Sequence, residues 1–163
     1  MPETLDTSKF SKLSSSPSNE HIIQIIFVGR LVEWKAPHLV IEIIRNVISE
    51  GYTVKCIIVG KGLLWDYCQK LIKEYKLENN IIMKGAQTQE QIMALMSESD
   101  LFLYPGLVDE FGRCENQGLV IQEAQAMKLP VLVSNVGGMS EGVVDKENGY
   151  LIEQNDISRF TKK

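Results

Sequence analysis

Three cysteines in 163 residues, Cys56, Cys68 and Cys114, are odd in number and lack metal-type spacing, which argues against a disulfide scaffold and against a zinc site. Reduced thiols are expected. Histidine is scarcer still: neither His21 nor His38 is placed by sequence beside Cys114, so a hydrolase built on a thiol and an imidazole has little support. Basic charge is also lacking. With 17 Lys and Arg against 21 Asp and Glu, the net charge is −4 and the pI near 5.3, which gives no footprint for nucleic acid. Any anion site must be local. No stretch approaches the roughly 20 apolar residues that span a bilayer. The amino end Met1-Pro2-Glu3-Thr4 has neither the basic nor the apolar region of a signal peptide, so the expected location is cytoplasmic.

What is present is a core. Hydrophobic side chains make up 44% of the chain, enough for one domain with a substantial interior but not a promise of two. Residues 1-20, rich in serine and lysine, read as a flexible leader or interdomain linker, and residues 21-163 as the folded domain. The run from Ile22 to Val28, ending in Gly29-Arg30, suits a parallel strand covered on both faces. A helix follows from about Pro37 to Ser49, with Leu39, Val40, Ile43, Ile44 and Val47 at helical spacing.

The alternation continues with strands at Val54 to Val59, Ile81 to Lys84 and Leu101 to Tyr104, and helices at Leu63 to Tyr75 and Gln89 to Ser97. A helix from the Gly118 region to Met127 precedes strands at Val131 to Ser134 and Tyr150 to Ile152. About six strands alternating with helices predict an α/β fold: a Rossmann-like, doubly wound parallel sheet. Ligands of such sheets bind beyond the carboxyl ends of the strands, which directs attention to the loops after them.

The run Glu115-Asn116-Gln117-Gly118-Leu119-Val120-Ile121-Gln122-Glu123 is the strongest functional signal. A helix starting near Gly118 would present unpaired backbone N–H groups and the positive end of its dipole to an anion. Glu115 would precede that helix, and Glu123 would lie in its second turn. Eight helical residues rise about 12 Å, beyond the roughly 5–9.5 Å that separates the carboxylates of a glycosidase pair. The two glutamates therefore read better as grips on opposite ends of an elongated ligand than as an acid/base dyad. Arg30 directly follows the first strand and Lys35 directly precedes a helix, so a guanidinium fork and an ammonium point charge could meet a diphosphate there. Gly60-Lys61-Gly62 also follows a strand, but Trp65 stands where a dinucleotide fingerprint needs its third glycine, which disfavours NAD.

Several segments together carry a resemblance: Phe27-Val28-Gly29-Arg30-Leu31 with Lys35, Ile58-Val59-Gly60-Lys61-Gly62, Glu115 to Glu123, Glu123-Ala124-Gln125-Ala126-Met127-Lys128-Leu129-Pro130-Val131, Val136-Gly137-Gly138, and Glu147-Asn148-Gly149-Tyr150-Leu151-Ile152. From about Ile22 to Ile152 the chain resembles the carboxyl-terminal, donor-binding domain of retaining GT-B glycosyltransferases, specifically glycosyltransferase family four, whose Glu-x7-Glu motif would be Glu115 to Glu123. Leu5-Asp6-Thr7-Ser8-Lys9-Phe10 resembles that family's interdomain linker. The resemblance implies a nucleoside diphosphate sugar as substrate and transfer with retention at the anomeric carbon. Arg30 and Lys35, beside Gly29, would hold the diphosphate and stabilise the leaving group. Gly118, Leu119 and Val120 would offer backbone N–H groups, Glu123 would bind ribose hydroxyls, and Glu115 would contact the donor sugar near its reacting centre. Lys61 and Ala86 would border the nucleotide. No divalent metal and no other cofactor is implied.

The likeness is incomplete. Asn116 stands where the family commonly has glycine after the first glutamate, and Lys128 replaces the usual glycine before Leu129-Pro130. The loop from Gly106 to Cys114 is longer than in the simplest members and resembles enzymes that build capsular or other exopolysaccharides. It contains Glu110-Phe111-Gly112, a decoy for the family's Glu-Gly-Phe-Gly form, but Glu110 lies thirteen residues before Glu123 and the eight-residue spacing selects Glu115. The family's amino-terminal acceptor-binding domain is not among these segments. That domain is the expected partner, with peripheral membrane association of the full-length enzyme a further expectation, and the domain alone should bind nucleotide yet transfer little sugar. A non-catalytic nucleotide-sugar binding domain and part of a nucleotide-sugar epimerase are the alternatives. The base, the sugar and the acceptor are not written in the sequence.

Overall fold

A computed structural model of the chain describes residues 22–114, 119–136, 143, 149–153 and 160. The leader at 1-20, Glu115 to Gly118, Gly137-Gly138 and Glu147-Asn148 lie outside the described residues.

The chain runs β1 (Ile23–Val28), a 3-10 turn (Glu33–Lys35), α1 (Pro37–Ser49), β2 (Val54–Val59), α2 (Trp65–Glu74), β3 (Ile81–Gly85), α3 (Gln89–Ser97), β4 (Leu101–Tyr104), α4 (Leu119–Ala126), β5 (Val131–Ser134) and β6 (Tyr150–Ile152). The six strands form one sheet in the order β3-β2-β1-β4-β5-β6, and every pair is parallel. This is the doubly wound, Rossmann-like arrangement that the alternation predicts. The order reverses between β1 and β4, so a crevice opens beyond their carboxyl ends.

The continuous apolar runs have the cause proposed for them. Every residue of β4 and β5 is buried, as are five of the six in β1, because helices cover the sheet on both faces. Ile26, Phe27, Ile58, Phe102, Leu103 and Tyr104 form the centre of the core together with Val40, Ile41 and Ile44 of α1. Each such side chain contributes roughly 1.5–3 kcal/mol by leaving water.

Local chemistry sets the boundaries. Pro37 occupies the first turn of α1, where its missing N–H costs nothing, and Ala36 before it takes a left-handed conformation with φ 56°. In α3 a reciprocal cap forms: the Gln91 N–H donates to Thr88 Oγ1 at 3.1 Å, and the Thr88 N–H to Gln91 Oε1 at 2.9 Å. Several expected edges shift by a residue or two, and at two of them the cause is a hydrogen bond. α2 begins at Trp65 rather than Leu63, because the Leu64 N–H is drawn to the Leu31 carbonyl at 2.8 Å. β3 gains Gly85, whose carbonyl accepts the Gly60 N–H at 2.9 Å and extends the ladder. No described helix is long and apolar enough to cross a membrane.

Candidate functional site

The loops leaving β1, β2 and β3 are laced together by main-chain hydrogen bonds. Gly29 N–H donates to the Val59 carbonyl at 3.0 Å and Leu31 N–H to the Lys61 carbonyl at 3.0 Å, while Gly60 reaches Gly85. Close approach requires the glycines. A Cβ on Gly60, which has φ 134°, would sit 1.9 Å from the Gly29 carbonyl oxygen, and one on Gly62 would sit 2.6 Å from that of Leu31. The floor beyond the strands is therefore mostly backbone.

Two cations rise from the β1 loop. Arg30 is exposed, with Cζ 5.8 Å from the centre of the Trp34 ring. Lys35 is half-buried, and its Nζ donates to the Tyr104 hydroxyl at 3.0 Å. Tyr104 is fully buried at the end of β4, so Lys35 bridges from the β1 loop to the neighbouring strand across the point where strand order reverses. Gly29 makes room for it: a Cβ there would lie 3.3 Å from Lys35 Cδ and 3.4 Å from the tyrosine ring. Lys61 is exposed, with its stem passing over Gly85, and Ala86 is exposed beside it. Gly29, Arg30, Lys35, Lys61 and Ala86 thus share the carboxyl edge of the sheet.

On the far side of that edge, α4 follows the loop after β4. Leu119 is exposed and Val120 half-buried in its first turn, where backbone N–H groups have no partner within the helix. Glu123 is half-buried in the next turn. Glu115 and Gly118 fall outside the described residues, so the structure gives no position for either.

Sequence reasoning passed over Trp34, Tyr104, Asp109 and Arg113. The loop after β4 is fastened to the 3-10 turn by a hydrogen bond from Leu107 N–H to the Trp34 carbonyl at 2.8 Å. Asp109, its side chain wholly buried, accepts from Phe111 N–H at 2.9 Å, from Arg113 N–H at 2.8 Å and from Arg113 Nε–H at 2.7 Å. Burial pushes the Asp109 carboxyl up, but these donors outweigh it and hold the group below its ordinary value. Only the Asp to Arg spacing of four could have suggested this loop.

The remaining reactive groups sit differently. Burial lowers the His38 pKa against the opposing pull of Glu42 and Glu33, so the imidazole is neutral at pH 7, and its buried Nδ1 has no partner among the described residues. Burial raises Cys56 strongly and pushes Cys68 up to about 11, leaving both as inert thiols. Among the described residues no His, Cys, Asp and Glu cluster could hold a metal ion. An open hollow of about 340 Å³ between α2 and β3, lined by Gln69, Ile72, Lys73, Glu78, Ile81 and Met83, lies along the sheet's edge strand and away from the cations described above.

Comparison with known proteins gives this geometry a context. The chain is 31% identical over 158 residues to the poly(ribitol-phosphate) alpha-N-acetylglucosaminyltransferase of Staphylococcus aureus, covering 96% of this chain and 30% of the relative. It is 26% identical over 159 residues to the capsular polysaccharide biosynthesis glycosyltransferase CapM of the same species, covering 98% and 40%. A TarM variant from S. aureus, solved with fondaparinux, alpha-GlcNAc-glycerol and UDP, superposes with a TM-score of 0.76 at 28% identity, covering 89% of this chain and 29% of that one. The chain thus spans about a third of the length of the proteins it matches. Residues 9–163 match the family model described as glycosyl transferases group 1, and the chain belongs to that family.

Proposed function

We propose that this chain is the nucleotide-sugar donor-binding domain of a retaining glycosyltransferase of family four, working with an amino-terminal acceptor-binding domain in the synthesis of a capsular or other exopolysaccharide. The observation that carries the reading is Lys35 held by Tyr104 across the reversal point of the sheet, beside exposed Arg30. A diphosphate there would meet an ammonium of fixed position and a guanidinium fork. The solved relative with UDP supports a nucleoside diphosphate as ligand.

In this reading the first-turn N–H groups of Leu119 and Val120, with Gly118, face the phosphates or the sugar, and Glu123 accepts from the ribose hydroxyls. Glu115 contacts the donor sugar near its reacting carbon. When the glycosidic bond to phosphate breaks, charge collects on the leaving diphosphate. Fixed cations lower the barrier most there because they are already oriented when the charge develops. Lys61 and Ala86 border the nucleotide. The 163 residues by themselves bind nucleotide and transfer sugar poorly, since most acceptor contacts come from the other domain.

Calorimetric titration with UDP, GDP, ADP and their sugars tests this. One base series should bind, with the diphosphate tighter than the nucleoside. Binding of none would end the donor-site reading, and rapid sugar transfer by these residues alone would contradict the division of labour.

A further inference from the structure

The loop after β4 is more highly organised than an exposed connection requires. Asp109 ties it into a ring: besides the three bonds to its carboxylate, Asp109 N–H donates to the Arg113 carbonyl at 3.0 Å and Gly112 N–H to the Asp109 carbonyl at 3.0 Å. Gly112 supplies the turn at φ 79°. The product of this ring is a fixed guanidinium. Arg113 Cζ lies 4.7 Å from the centre of the Trp34 ring and 5.0 Å from that of Phe111, while Nε is held by the carboxylate.

Stacking and the Nε bond leave one part of the group uncommitted. Among the described residues only the Nε–H is taken, the side chain is 53% exposed, and the two Nη groups form an edge in the guanidinium plane. Such an edge matches a planar or tetrahedral oxyanion with two acceptors. Arg30 approaches the same indole, with Cζ at 5.8 Å, so loops after β1 and β4 bring two guanidiniums to one ring in a chain whose net charge is −4. Asp109 balances one of them. Glu33 and Glu110 belong to the same two segments and are exposed, and neither forms an ion pair with either arginine among the described residues.

We infer that Arg113 is a specificity-determining residue that takes an acidic substituent, a carboxylate or a phosphate ester, on a substrate lying beside the diphosphate. The inference rests on the donor-site reading and narrows it to an acidic sugar. That acid belongs either to the donor, as a nucleoside diphosphate uronic acid, or to the acceptor. A role confined to folding the loop would leave no preference between acidic and neutral ligands.

The test uses the intact chain and the base selected by the nucleotide panel. In the donor arm, the neutral sugar nucleotide is compared with its uronic acid, UDP-glucose with UDP-glucuronate where the base is uracil. In the acceptor arm, protein saturated with the nucleoside diphosphate is titrated with glucose, glucuronate and glucose 6-phosphate. One arm should show about tenfold tighter binding of the acidic ligand, the size expected of a charge-assisted hydrogen-bonded pair, and Arg113→Gln should abolish that ratio. Arg113→Lys, which keeps the charge without the fork, should retain only part of it, and serves as the probe if the glutamine variant fails to fold. Equal binding of acidic and neutral ligands in both arms, or a full preference in either variant, overturns the inference while leaving nucleotide binding intact. Failure to bind any nucleotide overturns the donor reading and this inference together.

Discussion

Arg30 and Lys35 stand five positions apart on the loop after β1, yet they are presented differently. Lys35 is drawn inward to Tyr104, whereas Arg30 stays exposed over Trp34. The exposed fork should therefore act on the ligand's phosphates and little on the nucleoside. Arg30→Ala is expected to weaken nucleoside diphosphate binding by roughly 10- to 100-fold, the loss of a charged hydrogen-bonded pair worth about 1.5–3 kcal/mol, with nucleoside binding nearly unchanged. Parallel titrations measure both, and equal losses would count against the diphosphate role. At this scale the sequence was only partly legible. Placement after β1 singled out Arg30 and Lys35, but nothing in the local sequence tells that Tyr104, far along the chain, receives the lysine. Nor could Arg113 be found, because its importance comes from a buried carboxylate and two aromatic rings that converge only in the folded loop.

Among the elements, the existence and order of the strands and helices follow from local patterns, and tertiary contacts adjust only their edges. α1, β2, α3, β4, β5 and β6 span the residues that periodicity assigns to them. At two of the edges that moved, Leu64 and Gly85, the cause was a hydrogen bond to a sequence-distant loop, which local pattern cannot contain. The laced loops are also where a small substitution should do most harm. Gly60→Ala places a methyl group against the Gly29 carbonyl at a positive φ. The expected cost is about 3 kcal/mol or more, lowering the midpoint of thermal unfolding by roughly 6–12 °C for a domain of this size. A calorimetric scan showing no change would mean that the two loops are not in contact.

For the whole molecule, pH gives an independent check. The folded His38 has a pKa below its ordinary 6.5, so the unfolded chain takes up the proton first as pH falls. Its contribution to stability is present above pH 6.5 and is lost as pH falls from there through the folded value. Melts between pH 5 and 8 should show stability declining below about 6.5, with a shallower decline in His38→Gln. An unchanged slope would assign the decline to other groups. Asp109 acts in a lower window: its depressed pKa gives stability present above the ordinary 3.8 and lost beneath it, so the two effects separate.

On the donor-site reading, a nucleoside diphosphate binds beyond the carboxyl ends of β1, β2, β3 and β4. Backbone amide mapping by NMR during titration with the diphosphate tests it most directly, and the 18.4 kDa chain is within reach of that method. The largest shifts should fall on residues 29–35, 60–63, 85–88 and 119–123, with Arg30, Lys35 and Glu123 among them. Shifts centred instead on Gln69, Lys73, Glu78 and Met83, in the hollow along β3, would contradict it.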